Sequence, residues 1–232
     1  MLDEIRKQGK SLKFSAIPFV IVVAAAVFIL LDRYHGRDAV AALAWLLGKG
    51  FAGDLRALGL GPDFIIQLLL PFLLLVLIRV SPADAGLGLG KIRQGLKIMG
   101  ICALLYIPFF IILWLDPESR QYYASVASKS WAGLLCPHVP AVILGMVVTE
   151  FFFRGFMLLA LRRHTGDFLA ILIQLIPYVC LHFGKPQLEA FGSIPVGLAL
   201  GYIAVRTGSI WYGVVLHAGF ALLFDITSKL FL

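Results

Sequence analysis

Long apolar runs alternate with short polar ones along the whole chain, and the length of those runs is their first informative property. A helix that crosses a bilayer needs about 20 mostly apolar residues. Runs near that length occur at 14–31, 64–80, 96–115, 141–161, 168–183, 188–205 and 209–224, which predicts seven spanning helices. A shorter apolar run at 39–47 is followed by the Gly-rich "GKGFAGDLRALGLGPD". It reads as an interfacial or re-entrant helix, or as an eighth crossing if it passes through. The expected fold is therefore all-α, a polytopic transmembrane bundle of seven to eight spans. No linker, repeat or low-complexity segment divides it, so residues 1–232 are expected to form a single integral membrane domain.

Composition agrees: 60% of the residues are hydrophobic and only 14% charged, which excludes an ordinary soluble domain. A net charge of +7 in a soluble chain would point to nucleic acid. Here the Lys and Arg residues cluster at the ends of apolar runs, where they set topology and meet anionic lipid headgroups, so no nucleic-acid partner is expected. Arg6, Lys7, Lys10 and Lys13 precede a first apolar run too long for a cleaved signal, and that run is expected to be a retained anchor. Cys102, Cys136 and Cys180 form no CxxC and no disulfide framework. With seven spans and a cytoplasmic N-terminus, eleven Lys and Arg fall on the inner side and eight on the outer. An additional crossing near 39–47 would invert everything after it.

Polar residues are unevenly placed. The first three runs carry ionisable side chains only at their ends, whereas the last four contain Glu150, Arg154, His182 and His217, with Asp225 just beyond. An ionisable side chain at membrane depth costs at least about 2.5 kcal/mol by insertion scales, so it tends to face the bundle interior and find a partner. In "VTEFFFRGFM" (148–157) the i, i+4 spacing sets Glu150 and Arg154 on one helix face, as an ion pair. Loops 162–167 and 206–209 lie two runs apart and hence on the same side. At about 1.5 Å per residue, Glu150, His182 and His217 lie roughly 18, 22 and 12 Å from that side. Three helices thus bring a carboxylate and two imidazoles to similar depth.

These residues resemble a known family. "EFFFRG" (150–155), "YVCLH" (178–182) and "TGSIWYGVVLHAGFA" (207–221) are similar, in that order, to the ExxxR, FxxxH and HxxxN motifs of the CAAX-protease and bacteriocin-processing (Abi) family of intramembrane glutamate proteases, which includes the type II CAAX prenyl endopeptidase. The resemblance covers about residues 133–225, the catalytic-type core. It departs at three positions. The first of the family's two adjacent glutamates falls on Thr149, the Asn after the second histidine falls on Ala221, and the aromatic of FxxxH is Tyr178.

The resemblance implies an intramembrane endopeptidase, multi-pass in a bacterial cytoplasmic membrane. It hydrolyses a peptide bond in a membrane-associated, in some cases lipid-modified, protein or peptide. A glutamate mechanism needs a base for water, an acid for the leaving amine and donors for the oxyanion. Glu150 is the candidate base, with Arg154 restraining it; if Arg154 binds it too tightly, Glu189 is the other carboxylate placed to reach the site, and it reads equally as an acidic first-turn residue favoured by the helix dipole. His182 is expected to position water or shuttle its proton, and His217 to donate to the oxyanion, supported by Tyr178. Glu plus two His is also a ligand set of catalytic zinc. HExxH is absent and Arg154 would repel a dication, so neither metal nor cofactor is expected. His35, His138 and His164 read as peripheral and Asp225 as interfacial, while Gly197 and Gly201 form a small-residue packing face. The alternative reading is a non-catalytic relative serving as a membrane scaffold or immunity protein.

Overall fold

The computed structural model describes residues 16–47, 64–126 and 130–231, and every regular element among them is helical. In chain order these are α1 (Ala16–Leu47), α2 (Phe64–Leu77), α3 (Ile92–Leu115), α4 (Pro117–Val126), α5 (Val139–Thr165), α6 (Asp167–Cys180), α7 (Gln187–Thr207) and α8 (Trp211–Phe231). Five of them, α1, α3, α5, α7 and α8, are long and apolar enough to cross a membrane, and α2 and α6 are shorter apolar helices. The expectation of an all-α bundle holds. The run at 39–47 differs from expectation, because it continues α1 without a break. Its Gly-rich sequel, 48–63, lies outside the described residues. A 32-residue helix is about 48 Å long, well beyond the roughly 30 Å of a hydrocarbon core.

Local chemistry sets the ends of these helices. Asp116 closes α3 and opens α4, accepting from the Ser119 backbone N–H and hydroxyl at 2.8 Å each; both bonds hold its carboxyl below the usual range. Ser130 starts the lead-in to α5 by accepting from the Gly133 N–H at 2.9 Å. Gly208, with φ +69°, ends α7 in the left-handed conformation.

Contacts between loops sort the bundle into two ends. At one end the 79–91 loop meets the α7–α8 turn. Lys91 N donates to Thr207 O at 3.0 Å, Ile210 N to Gly86 O at 3.0 Å, and Trp211 Nε1 to Leu87 O at 2.8 Å. Gly90 is required there, because its φ is +56° and a Cβ would collide with the Thr207 carbonyl. Arg163 of α5 pairs with Asp84 in the same loop. At the opposite end α4 reaches α7 through Tyr123 and Glu189 (2.8 Å), and α8 reaches the start of α5 through Asp225 and His138 (2.8 Å). Gln67 of α2 donates to Asp32 of α1 at 2.9 Å, which ties the first two helices together.

The core lies around the second half of α5. All nine residues from Phe151 to Leu159 are buried, as expected for a helix apolar all round and enclosed by protein. This stretch has the wider i→i+5 hydrogen bonding of a π-helix, a form found mostly as short insertions and frequently at functional sites. Ile21 and Ala25 of α1, Leu75 of α2, Ala170 of α6 and Ala204 of α7 pack around it.

Candidate active site

Glu150 is the last residue of α5 before the helix widens, and Arg154 lies one turn on within the widened stretch. Both side chains are 0% exposed, and Arg154 Nη1 is 3.2 Å from Glu150 Oε1. The guanidinium N–H groups are not aimed at the carboxylate and find no other acceptor, so the pair is held by charge more than by aligned hydrogen bonds. Such a pair is fragile, since a buried charge deprived of its partner costs several kcal/mol. The Arg154 guanidinium carbon lies 4.3 Å from the centre of the Tyr178 ring, where the ring face offers a partial substitute.

The same Glu150 oxygen is 2.9 Å from Nδ1 of His217 on α8. That contact depends on how closely α8 approaches α5. A Cβ on Gly213, one turn before His217, would lie 2.5 Å from Glu150 Oε2. The spacing Gly213–His217 gives α8 one face with a gap for the carboxylate and an imidazole to meet it. Gly213 is a site residue that sequence reasoning missed, although its position four residues before His217 was visible in "WYGVVLH".

His182 lies in the turn after α6, with Nδ1 2.9 Å from the Tyr178 carbonyl. The Tyr178 ring stands between the groups, 4.8 Å from the His182 ring centre and 6.3 Å from that of His217. An ionised carboxylate and a carbonyl are acceptors only, so each histidine carries its proton on Nδ1 and, when neutral, leaves the Nε2 lone pair free. Gln174, one turn before Tyr178, is fully buried and spans to the Gly197 carbonyl at 3.4 Å. At Gly197 a Cβ would lie 2.8 Å from the Tyr178 ring, so the small-residue face of α7 lets α6 pack closely enough to fix that ring.

A cavity of about 90 Å³ opens beside these groups, lined by Tyr106, Tyr123, Tyr178, His182, Glu189 and His217 among others. It is large enough for several water molecules. Glu150 is absent from its wall and lies behind His217. The carboxylate on the wall is Glu189, with both oxygens engaged, Oε1 by Lys185 Nζ and Oε2 by the Tyr123 hydroxyl, at 2.8 Å each. Burial and the neighbouring Glu189 raise the Tyr123 pKa, which keeps that hydroxyl a donor. Lys185 and Tyr123 were also missed, since nothing local in the sequence ties α4 to α7. His138 and Asp225, read separately as peripheral and interfacial, are partners at 2.8 Å. Among the described residues, no group of three or more His, Cys, Asp or Glu is arranged to hold a metal ion.

An all-helical protein with several membrane-length apolar helices, and a buried carboxylate and guanidinium with two imidazoles beside a small polar cavity, belongs to the integral membrane proteins. Residues 131–223 match the family model described as type II CAAX prenyl endopeptidase Rce1-like. That segment, which holds all four residues, is similar to the CAAX-protease family. No curated protein and no solved structure matches the chain.

Proposed function

We propose that this chain is a glutamate-dependent intramembrane endopeptidase, hydrolysing a peptide bond in a membrane-associated protein or peptide, including lipid-modified ones, at a bacterial cytoplasmic membrane. Seven helices cross, α1, α2, α3, α5, α6, α7 and α8, while α4 lies along one end. The observation that carries the reading is the Glu150–His217 contact: a fully buried carboxylate, already beside Arg154, set directly behind an imidazole on the cavity wall.

That arrangement gives each residue a task. His217 Nε2 takes a proton from a water in the cavity as the oxygen attacks the scissile carbonyl, and Glu150 orients the ring and stabilises the imidazolium that forms. His182 Nε2 accepts a hydrogen bond from the same water and helps aim it. Lys185 supplies positive charge on the cavity wall to the developing oxyanion. The imidazolium then returns the proton to the leaving amine, which closes the cycle. Arg154 fixes Glu150 in place, and Tyr178 holds Arg154 and the His182 turn. Glu150 thus acts through His217 without meeting water itself. Glu189 has both oxygens engaged and belongs to the cavity rim.

The test is to compare new peptide termini by mass spectrometry in membranes from cells making wild type, Glu150→Gln or Glu189→Gln at equal abundance. Termini specific to wild type are expected to fall by at least about 100-fold in Glu150→Gln and to persist in Glu189→Gln. The reverse pattern would transfer the base role to Glu189. Identical termini in all three samples would leave the polar centre as architecture and favour a scaffold or immunity role.

A further inference from the structure

We infer that the groove between α3 and α7 is a binding site for one anionic phospholipid, held by its phosphate at Arg93 and Lys97 and by an acyl chain lying along the two helices. The inference is independent of the endopeptidase reading, because it concerns another part of the molecule and no step of catalysis.

The sequence supplies both halves of such a site at helical spacing. In "KIRQGLKIMGIC" (91–102), Arg93 and Lys97 are four residues apart and share one face of α3, and Ile101 continues that face one turn further. The structure sets this face against α7. A groove of about 820 Å³ has Arg93 and Lys97 at its head and Ile98, Ile101, Cys102 and Ala199 along its walls. The bond from Lys91 N to the Thr207 carbonyl fixes the head where the start of α3 meets the end of α7. Cys102 and Ala199 also line a second, apolar cavity of about 240 Å³, which extends the groove past Leu105 to Tyr106 and Phe220. The rings of those two residues stack at 3.5 Å between centres. From Arg93 to Tyr106 is about 20 Å by helix rise, the depth of one bilayer leaflet with its headgroups.

Charge selects the occupant. At the same end of the bundle Arg162 and Arg163 are paired with Asp167 and Asp84, so their charge is met within the protein. Arg93 and Lys97 are exposed and have no carboxylate partner among the described residues, and no residue lining the groove is acidic. Arg206, in the last turn of α7, brings a third positive charge beside the head. Its guanidinium carbon is 5.9 Å from the centre of the Tyr202 ring. The Gln94 amide, oriented so that both its atoms are satisfied, accepts from Arg206 Nε and Nη2 at 3.1 Å each. The positive end of the α3 dipole, at Ile92, adds to the same field. Basic pockets between membrane helices recognise anionic headgroups in this way. A small soluble anion would leave the apolar walls bare, and the ammonium of a zwitterionic headgroup would meet the same cations.

The experiment titrates the purified full chain in detergent with phosphatidylglycerol or phosphatidylcholine of identical acyl chains, and counts bound lipid by native mass spectrometry. Wild type is compared with three variants. Arg93→Gln/Lys97→Gln removes the proposed phosphate contacts, Ala199→Phe fills the groove and keeps every charge, and Arg79→Gln/Arg120→Gln removes the same charge away from the groove. Wild type is expected to retain one phosphatidylglycerol at least about 10-fold more tightly than phosphatidylcholine. Its affinity should fall about 30-fold in Arg93→Gln/Lys97→Gln and at least about 10-fold in Ala199→Phe. It should stay within about 2-fold in Arg79→Gln/Arg120→Gln. Should Ala199→Phe aggregate, Ile101→Trp on the exposed wall of α3 takes its place. Three results each overturn the inference: equal affinity for the two lipids, an equal loss in Arg79→Gln/Arg120→Gln, or full binding to the filled groove. Displacement of the lipid by inorganic phosphate alone also overturns it, since the site would then hold a free anion.

Discussion

α3 and α5 are similar in length and strongly apolar, yet only 6% of the apolar window of α3 is buried in the protein against 61% of that of α5. In α3, Leu104, Leu105, Ile107 and Ile111 are each at least half exposed, so their apolarity matches lipid. In α5, the Phe residues at 151–153 and Phe156 are sealed inside the bundle and their apolarity matches other side chains. Hydropathy reports that a helix avoids water and is silent on what replaces the water. The charges carry the distinction. A helix facing lipid along its length has nowhere to pair an Arg, whereas α5 places Glu150 and Arg154 where α6 and α8 supply a ring face and an imidazole.

Breaking the pair inside α5 gives the largest expected effect. Arg154→Leu leaves the Glu150 carboxylate buried without its cation and is expected to destabilise the fold by about 3–5 kcal/mol, measured by the midpoint of unfolding in a denaturing-detergent titration. Placing a charge on α3 is the mirror test. Leu104→Arg sets a guanidinium on a lipid-facing surface and should cost about 2.5–3.5 kcal/mol in insertion, read as the fraction of chains integrated. If Leu104→Arg integrates like wild type, α3 is covered by protein and the contrast between the helices fails.

Gly213→Ala acts on the contact that makes α5 a site. The added methyl meets Glu150 Oε2, and the carboxylate must move from His217 or α8 must retreat. A stability loss of about 1–3 kcal/mol is expected from overpacking, with turnover reduced more than that loss explains. Turnover unchanged in a folded Gly213→Ala protein would show that the Glu150–His217 alignment is not used.

The two halves of the comparison also differ in how far the sequence disclosed them. The Glu150–Arg154 pair was legible because i, i+4 spacing is a property of one helix. The shared depth of Glu150, His182 and His217 followed from helix rise and the order of the loops. The bond between Glu150 and His217 was not legible, because it depends on how closely two helices approach, set at a distance by Gly213. The widened helix at 151–159 left no local mark in "FFFRGFMLL". His138 and Asp225 lie 87 residues apart, and each alone looked like a residue at a membrane face. Treating 39–47 as a separate element failed because the run is short and leads into a Gly-rich stretch, whereas the helix that starts at Ala16 continues through it.

The smallest expected effect concerns the cavity rim. Tyr123→Phe removes the hydroxyl that donates to Glu189 and keeps the ring that stacks on Phe224 at 4.5 Å between centres. Because Lys185 still pairs with Glu189, the loss should be about 0.5–1.5 kcal/mol, the net value of a typical hydrogen bond, with turnover within about tenfold of wild type. The raised pKa of Tyr123 means that the hydroxyl is protonated throughout the neutral range, so the effect of the substitution should not vary between pH 6 and 8 on the order of a factor of two. Turnover falling to the level of Glu150→Gln would show that Glu189 needs Tyr123 to do chemistry. The polar centre would then extend from the interior of α5 to the surface of α7, and buried and exposed regions would no longer divide the site from its rim.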